Sequence, residues 1–271
     1  MAPLVNEHAS ILQNRPVGPG LHLLELSMPT IARAVQPGQF VHMRIPGREG
    51  HILRRPFSIY DCDREAGTCE ILYQAVGSLT DYLPTLREGS VEAIGPVGRP
   101  WSASERFRKG DASRALLVGG GVGAAPLHLL ARSLADAAMA FDVVLGAQTR
   151  DALVCLPRYE QLCPAGTACS TDDGSFGRAG FCTALVEERL AEGCTADGKP
   201  YDYVAVCGPE PLMRIVSAMA AGAGAYCELS LEKRMACGVG ACLSCVVETV
   251  EGRKRSCVDG PIFDSREVVW S

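Results

Sequence analysis

The chain reads as α/β plus β, with an antiparallel β-barrel first, a parallel-sheet nucleotide-binding domain next, and a small cysteine-rich domain last. Three observations predict this. Before about residue 100, apolar residues alternate with a period of two and helix signals are scarce. From about Ser113, strand and helix patterns take turns, the mark of a parallel sheet covered by helices. After about Ala225 the chain turns Gly-rich and Cys-rich, and is too short for a core of its own. The boundaries fall at 1–105, 106–225 and 226–271.

Composition narrows the function classes. The 271 residues suffice for about two domains of ordinary size, and 47% hydrophobic with 21% charged residues excludes a disordered chain. With 26 Lys+Arg against 31 Asp+Glu the net charge is −5, a poor balance for binding nucleic acid. The longest nearly uncharged stretch, Ala115 to Ala131, is broken by Gly119, Gly120, Gly121, Gly123 and Pro126. It is shorter than the ~20 apolar residues that span a bilayer, so no membrane helix is expected. Asn6 and Glu7 stand in Met1 to Ser10 where a secretion signal needs a basic end and an apolar run, so a cytoplasmic location is expected. Thirteen cysteines in such a chain point to metal or redox chemistry rather than disulfides.

In the first domain, Val41, Met43 and Ile45 alternate against Phe40, His42 and Arg44, and Cys69, Ile71 and Tyr73 against Glu70, Leu72 and Gln74. Pro37-Gly38, Pro46-Gly47 and Glu88-Gly89 punctuate these strands. The string Arg54-Arg55-Pro56-Phe57-Ser58-Ile59 follows, at a barrel strand's end. Its extended backbone sets a guanidinium at one end and a hydroxyl at the other, suited to a phosphate and a flavin ring. The alternative is a solvated Arg55 beside a turn at Pro56.

In the second domain, Ala115 to Val118 reads as a buried strand, and Leu127, Leu130, Ala131, Leu134 and Ala138 as one helix face. Between them Gly119, Gly120, Gly121 and Gly123 offer bare amides and a positive helix end to a pyrophosphate. Strands at Phe141 to Leu145, Thr167 to Thr171 and Tyr203 to Cys207 follow, with helices near Thr183 to Ala191 and beyond Pro211. Cys207-Gly208-Pro209-Glu210 repeats the strand, glycine and helix-start arrangement, and two such loops on one sheet frame a dinucleotide. Asp172-Asp173-Gly174-Ser175 ends another strand, where acidic side chains accept from ribose hydroxyls and repel a 2′-phosphate. A solvated turn is the plainer alternative, and Arg150 and Arg178 are available to a phosphate instead.

In the third domain, Cys237, Cys242, Cys245 and Cys257 are separated by 4, 2 and 11 residues. The first two gaps match plant-type two-iron, two-sulfur sites, in which Gly238 and Gly240 let the loop curl and aim amides at the sulfurs. A zinc site is the competing reading. Met235, Val239, Ala241 and Leu243 surround the ligands with apolar side chains, as a docking patch or as packing against the barrel. No separate catalytic machinery is expected. His8, His22, His42, His51 and His128 are scattered and read as surface or core residues, while Cys207 is either near a nicotinamide or a buried structural thiol.

The order of Arg55-Pro56-Phe57-Ser58, the Gly119 to Gly123 loop and Cys207-Gly208-Pro209 is similar to that of the ferredoxin-NADP reductase superfamily. The run from Leu231 to Cys242, completed by Cys257 to Phe263, resembles the electron-transfer subunits of type B dihydroorotate dehydrogenases. The resemblance covers nearly the whole chain and implies FAD on the barrel, NAD on the central domain and a 2Fe-2S cluster in the tail. By it, FAD falls to Arg55, Pro56, Phe57, Ser58, Leu72, Tyr73, Gln74, Leu79 and Thr80. NAD falls to Gly119, Gly120, Gly121, Gly123, Cys207, Gly208 and Glu210, and the cluster to Cys237, Cys242, Cys245 and Cys257. Leu79 departs from an expected glycine and Gln74 from a common arginine. The resemblance further implies an FMN-containing catalytic partner in a heterotetramer, with electrons passing from dihydroorotate through FMN, cluster and FAD to NAD⁺ in pyrimidine (UMP) biosynthesis. A ferredoxin-type NAD(P)H reductase with another partner, and a redox-sensing binding module, stand as alternatives.

Overall fold

The computed structural model describes residues 3–47, 50 and 52–270; Met1 and His51, named above, lie outside them. The first domain comprises β1 (Val5–Gly18), β2 (Leu21–Ser27), α1 (Pro29–Ala34), β3 (Phe40–Arg44), β4 (Arg55–Ser58), β5 (Asp61–Asp63), β6 (Thr68–Gln74) and β7 (Ser90–Val97). All seven strands pair antiparallel in the order β4-β3-β7-β1-β2-β6-β5. The sheet rolls until β4 meets β6, where the Phe57 and Tyr73 rings stand edge to face at 6.1 Å. Arg55 to Ser58 form β4 itself rather than a strand's end. Pro56 is tolerated there because β4 lies at the edge, with one side free of ladder bonds.

The second sheet follows α2 (Ala103–Lys109). Its strands are β8 (Arg114–Gly120), β9 (Ala140–Ala147), β10 (Thr167–Thr171), β11 (Arg178–Ala179), β12 (Tyr203–Cys207) and β13 (Tyr226–Ser230). Helices α3 (Ala125–Asp136), α4 (Leu156–Leu162), α5 (Thr183–Glu192) and α6 (Glu210–Gly222) connect them. The hairpin of β14 (Val246–Thr249) and β15 (Gly252–Arg255) stands apart, and β16 (Ile262–Asp264) returns to the sheet. The order β11-β10-β9-β8-β12-β13-β16 is parallel except at β16. From β8 the chain winds outward through β9 and β10, then crosses to β12 on the other side. The switch point therefore lies between β8 and β12, where open α/β sheets bind their ligands.

Two expectations change. The tail that stands outside both sheets is narrower than 226–271, because β13 and β16 complete the central sheet and only residues 231–261 hang between them. The alternation along β3 does not separate a core face from a solvent face. Phe40 and His42 are as buried as Val41 and Met43, since the tail folds back over the barrel and packs Met235, Cys245 and Cys257 on Phe40 and Val97. Met235 is thus packing, whereas Val239 and Leu243 remain 46% and 62% exposed.

Barrel and sheet share one core. Leu23, Tyr60 and Leu72 of the barrel pack with Leu127, Tyr159 and Cys207. Arg158 of α4 pairs with Glu70 of β6, and Arg132 of α3 with Asp61 of β5. His128 lies buried in this seam, and burial pulls its imidazole down to about 4, so it is a neutral packing ring.

Candidate functional site

The tail is built to bring four thiols together from a short stretch. Leu231 donates its N–H to the Pro261 carbonyl (2.9 Å), closing the lobe where it leaves the sheet. Val246 pairs with Arg255 at the base of the hairpin, so one step beyond the base Cys245 meets Ser256 and Cys257. The 11-residue gap is therefore a hairpin plus one serine. Ser256 ties this corner down, with its N–H on the Cys245 carbonyl (2.9 Å) and its hydroxyl on the Leu231 carbonyl (2.8 Å). The loop ahead needs its glycines: Gly238 and Gly240 have φ of 69° and 85°, and a Cβ on Gly240 would lie 2.7 Å from Val258. Amides of Val239 and Cys242 point at the Cys237 sulfur from 3.5 and 3.4 Å, as the glycine pattern predicts.

The thiols pair, Cys237 with Cys242 and Cys245 with Cys257. Hydrogen bonds from Ser244 and Cys237 bring the exposed Cys242 thiol down to about 6, toward the thiolate that binds metal. Among the described residues no three candidate ligands gather about one point. Cys237, Cys242, Cys245 and Cys257 supply the four thiolates that a two-iron, two-sulfur rhomb takes. The donor set fits the rhomb. Cys245 and Cys257 are each 2% exposed and face the barrel, while Cys242 opens to solvent.

On the barrel the two arginines of the Arg54-Arg55 string part company. Arg54 pairs with Glu92 at 2.7 Å. Arg55 folds onto the carbonyls of Leu53 and Arg54, and among the described residues it meets no carboxylate. Ser58 reaches Glu232 across 174 residues of sequence, Oγ to Oε1 at 3.4 Å. Leu72 points into the interdomain core and Tyr73 into the barrel, where its hydroxyl donates to Asn14 (2.9 Å). Gln74 is exposed. Leu79 is buried in the barrel, so it brings only backbone to a ligand, and the Thr80 hydroxyl already serves the amides of Val76 and Gly77.

At the switch point Cys207 lies beside Gly119 in register, and the two glycine loops touch through backbone. A Cβ on Gly123 would sit 2.7 Å from the Cys207 carbonyl and the Gly208 nitrogen, and one on Gly120 2.6 Å from Leu212. Gly121, with φ 57°, is open on its outer side. Glu210 is exposed in the first turn of α6. The result is a cradle of backbone amides and helix starts, with the Leu212 and Pro209 side chains against Gly120. Cys207 is 3% exposed, and burial pushes its thiol up, with the Glu232 charge adding to the effect.

Glu232 is the residue that sequence reading passed over. It is exposed at the surface, and desolvation raises its carboxyl while Ser58 lowers it. Its neighbours come from β4 and β12, so no local spacing announces it. Five residues later comes Cys237, a separation of at most about 17 Å for extended chain. Ser58 also pairs with Phe40, on which Cys245 and Cys257 pack, so the Ser58 and Glu232 contact and the thiol corner are neighbours.

The comparisons with known proteins fall on the same features. Residues 232–269, the thiol-bearing lobe and the strand after it, match the family described as the iron-sulfur cluster binding domain of dihydroorotate dehydrogenase B. Over 267 residues the chain is 36% identical to the electron transfer subunit of dihydroorotate dehydrogenase B (NAD(+)) of Desulforamulus reducens, covering 97% of each. The chain belongs to the dihydroorotate dehydrogenase B electron transfer subunits. The Bacillus caldolyticus member of this family is 36% identical over 271 residues, covering 97% of this chain and 98% of that one. Among solved structures, a chain from an NADH-dependent reduced ferredoxin-NADP oxidoreductase, studied for flavin-based electron bifurcation, superposes with a TM-score of 0.82 at 27% identity. It covers 97% of this chain and 90% of its own. The ferredoxin NADP+ reductase of Neisseria gonorrhoeae, solved with FAD and NADP, shares the fold over 82% of this chain and 92% of its own, with a TM-score of 0.65 at 16% identity.

Proposed function

We propose that this chain is the electron-transfer subunit of a dihydroorotate dehydrogenase, passing electrons from the FMN of a catalytic subunit through a 2Fe-2S cluster and FAD to NAD⁺ in pyrimidine biosynthesis. The observation that carries this reading is the thiol corner packed on Phe40 beside the Ser58 to Glu232 contact, in a chain matching the family along 97% of its length. Flavin exchanges a hydride with nicotinamide and single electrons with an iron-sulfur centre, which is why it stands between them.

The chain's own residues do the rest. Cys237, Cys242, Cys245 and Cys257 would hold the cluster, with the Val239 and Cys242 amides offsetting the charge on the Cys237 sulfur. Arg55 answers the FAD pyrophosphate with a charge-assisted contact, and Pro56, Phe57 and Ser58 lay an extended edge along the flavin. Leu72, Tyr73, Gln74, Leu79 and Thr80 border the same cofactor. Ser58 and Glu232 set polar atoms at the flavin and nicotinamide edge. Gly119, Gly120, Gly121, Gly123 and Gly208, with Cys207 and Glu210, form the NAD cradle.

A heterotetramer, two of each subunit, places the exposed Cys242 end against the FMN subunit. The thirteen cysteines are all free, in keeping with a reducing cytoplasm. Among the described residues no helix is long and apolar enough to cross a membrane.

Reconstitution tests the reading. The isolated chain is expected to pass electrons from NADH to dyes but not to oxidise dihydroorotate, and adding the FMN subunit is expected to create dihydroorotate-dependent NAD⁺ reduction. Leu243→Asp should weaken the coupled reaction while sparing dye reduction, since Leu243 projects beside Cys242. Dihydroorotate oxidation by this chain alone overturns the assignment. The ferredoxin-NADP oxidoreductase likeness favours a second reading, the same centres serving a ferredoxin. NADH-dependent ferredoxin reduction, with no gain from the FMN subunit, would establish it.

A further inference from the structure

His42 is the buried polar side chain to which the assignment above gives no task. It stands on β3, opposite Pro56 of the flavin strand and Ile94 of β7. None of it reaches solvent, and neither Nδ1 nor Nε2 makes a well-formed hydrogen bond, although the backbone of Arg54 and of Cys237 lies within reach of the ring. The turn through Cys237, Gly238 and Val239 closes over the ring so tightly that a Cβ on Gly238 would lie 2.4 Å from Nδ1 and 2.9 Å from Cγ. The ring thus fills the space between the strand assigned to the flavin and the turn carrying the first thiol. Its side of the barrel is otherwise apolar, made of Phe40, Ile94 and Val97, with the Arg54 and Arg55 charges beyond. Apolar side chains fill such a gap at lower cost, because a buried imidazole loses its bonds to water and needs well-made bonds in their place.

We propose that His42 is a positioning residue for the cluster: its imidazole N–H hydrogen-bonds the turn through Cys237 and Gly238 when the cluster is in place. That bond fixes the turn against β4 and sets the cluster's reduction potential. The inference rests on Cys237 being a cluster ligand, as assigned above. Hydrogen bonds directed at the ligand shell stabilise the more negative reduced state and raise the potential. A rigid spacer between turn and flavin strand also keeps the path between the two centres constant.

The experiment uses the complete chain with its native cofactors, at a single pH. The cluster potential is read by redox titration of its electron paramagnetic resonance signal, and NADH reduction of flavin and then cluster is followed by stopped flow. His42→Phe keeps the volume and removes the donor; His42→Asn keeps a donor near the place of Nδ1. The Phe variant is expected to make cluster reduction about tenfold less favourable, about 59 mV for one electron, and to slow flavin-to-cluster transfer while the hydride step stays within about twofold. The Asn variant is expected to recover most of the shift. A Phe variant with the parent's potential and transfer rate overturns the inference, and so does equal loss of the cluster from both variants, since the ring would then only fill space. Loss from the Phe variant alone upholds it. Absence of any two-iron signal in the parent defeats the cluster assignment itself, a failure distinct from the others.

Discussion

The nucleotide cradle and the thiol lobe both rest on glycines pressed against backbone or ring atoms, yet they are held in place by different forces. Beneath the cradle, Leu116, Leu117, Val118, Val144 and Val206 are wholly buried, so hydrophobic packing sets the loops before any ligand arrives. The lobe of residues 231–261 has little such support. Besides Cys245 and Cys257 themselves, its buried apolar side chains include Leu231, Met235 and Val247, and much of the rest is tied by polar contacts such as the Arg255 to Asp259 pair at 2.9 Å and the Ser256 bonds. One site is organised by its core and waits for its ligand. The other is organised by the ligand it holds.

The largest test of this difference is Cys245→Ser. It should abolish the two-iron absorption and raise amide exchange throughout residues 231–261, while NAD binding and the sheet's exchange pattern stay as in the parent. Stoichiometric zinc without iron in the parent protein would refute the premise. Arg55→Ala should weaken FAD retention by about 1.5–3 kcal/mol and leave both regions folded, because a packed frame tolerates an empty site. Retention equal to the parent's would move the flavin elsewhere. Gly123→Ala attacks the cradle from within: its Cβ meets three backbone atoms at 2.7 Å, so the loops must part. NAD affinity should fall by about 1–3 kcal/mol with the cluster spectrum unchanged, a scale set by overpacking; an unaffected affinity would mean that the cradle yields more easily than its core suggests.

The smallest effect concerns cofactor choice. Asp173 is engaged by the Ser175 amide and hydroxyl at 2.9 and 2.6 Å, whereas among the described residues the Asp172 carboxylate meets no donor. Asp172→Ser should therefore shift preference toward NADPH by about 1 kcal/mol, the scale of an exposed charge interaction. The same change at Asp173 should loosen the turn instead. Kinetics with both nucleotides separate these outcomes.

Legibility in the sequence followed the range of the interactions. The strands Thr167–Thr171 and Tyr203–Cys207 lie where their patterns place them, the second as a wholly buried run and the first as a part-buried one. The thiol spacing was legible because four residues make a curled loop and eleven make a hairpin, both local events. The seven-residue helices α2 and α4 left no readable period. The face of β3 was misjudged because its cover arrives from about two hundred residues away, and the Ser58 to Glu232 contact spans 174. Leu79 and Thr80 show a further limit: sequence places them at the turn, but only packing reveals that one side chain turns inward and the other is engaged with its own loop.

The closing bond between Leu231 and Pro261 gives the lobe the character of a cartridge. Its two ends leave the sheet from paired neighbours, β13 and β16, so the segment between them is topologically a single long hairpin loop. Replacing it with a short turn would leave every other strand pairing of the sheet in place. Such an architecture lets a flavin reductase frame change its electrical connector, by exchanging one insertion, without rewiring the machinery that handles nicotinamide.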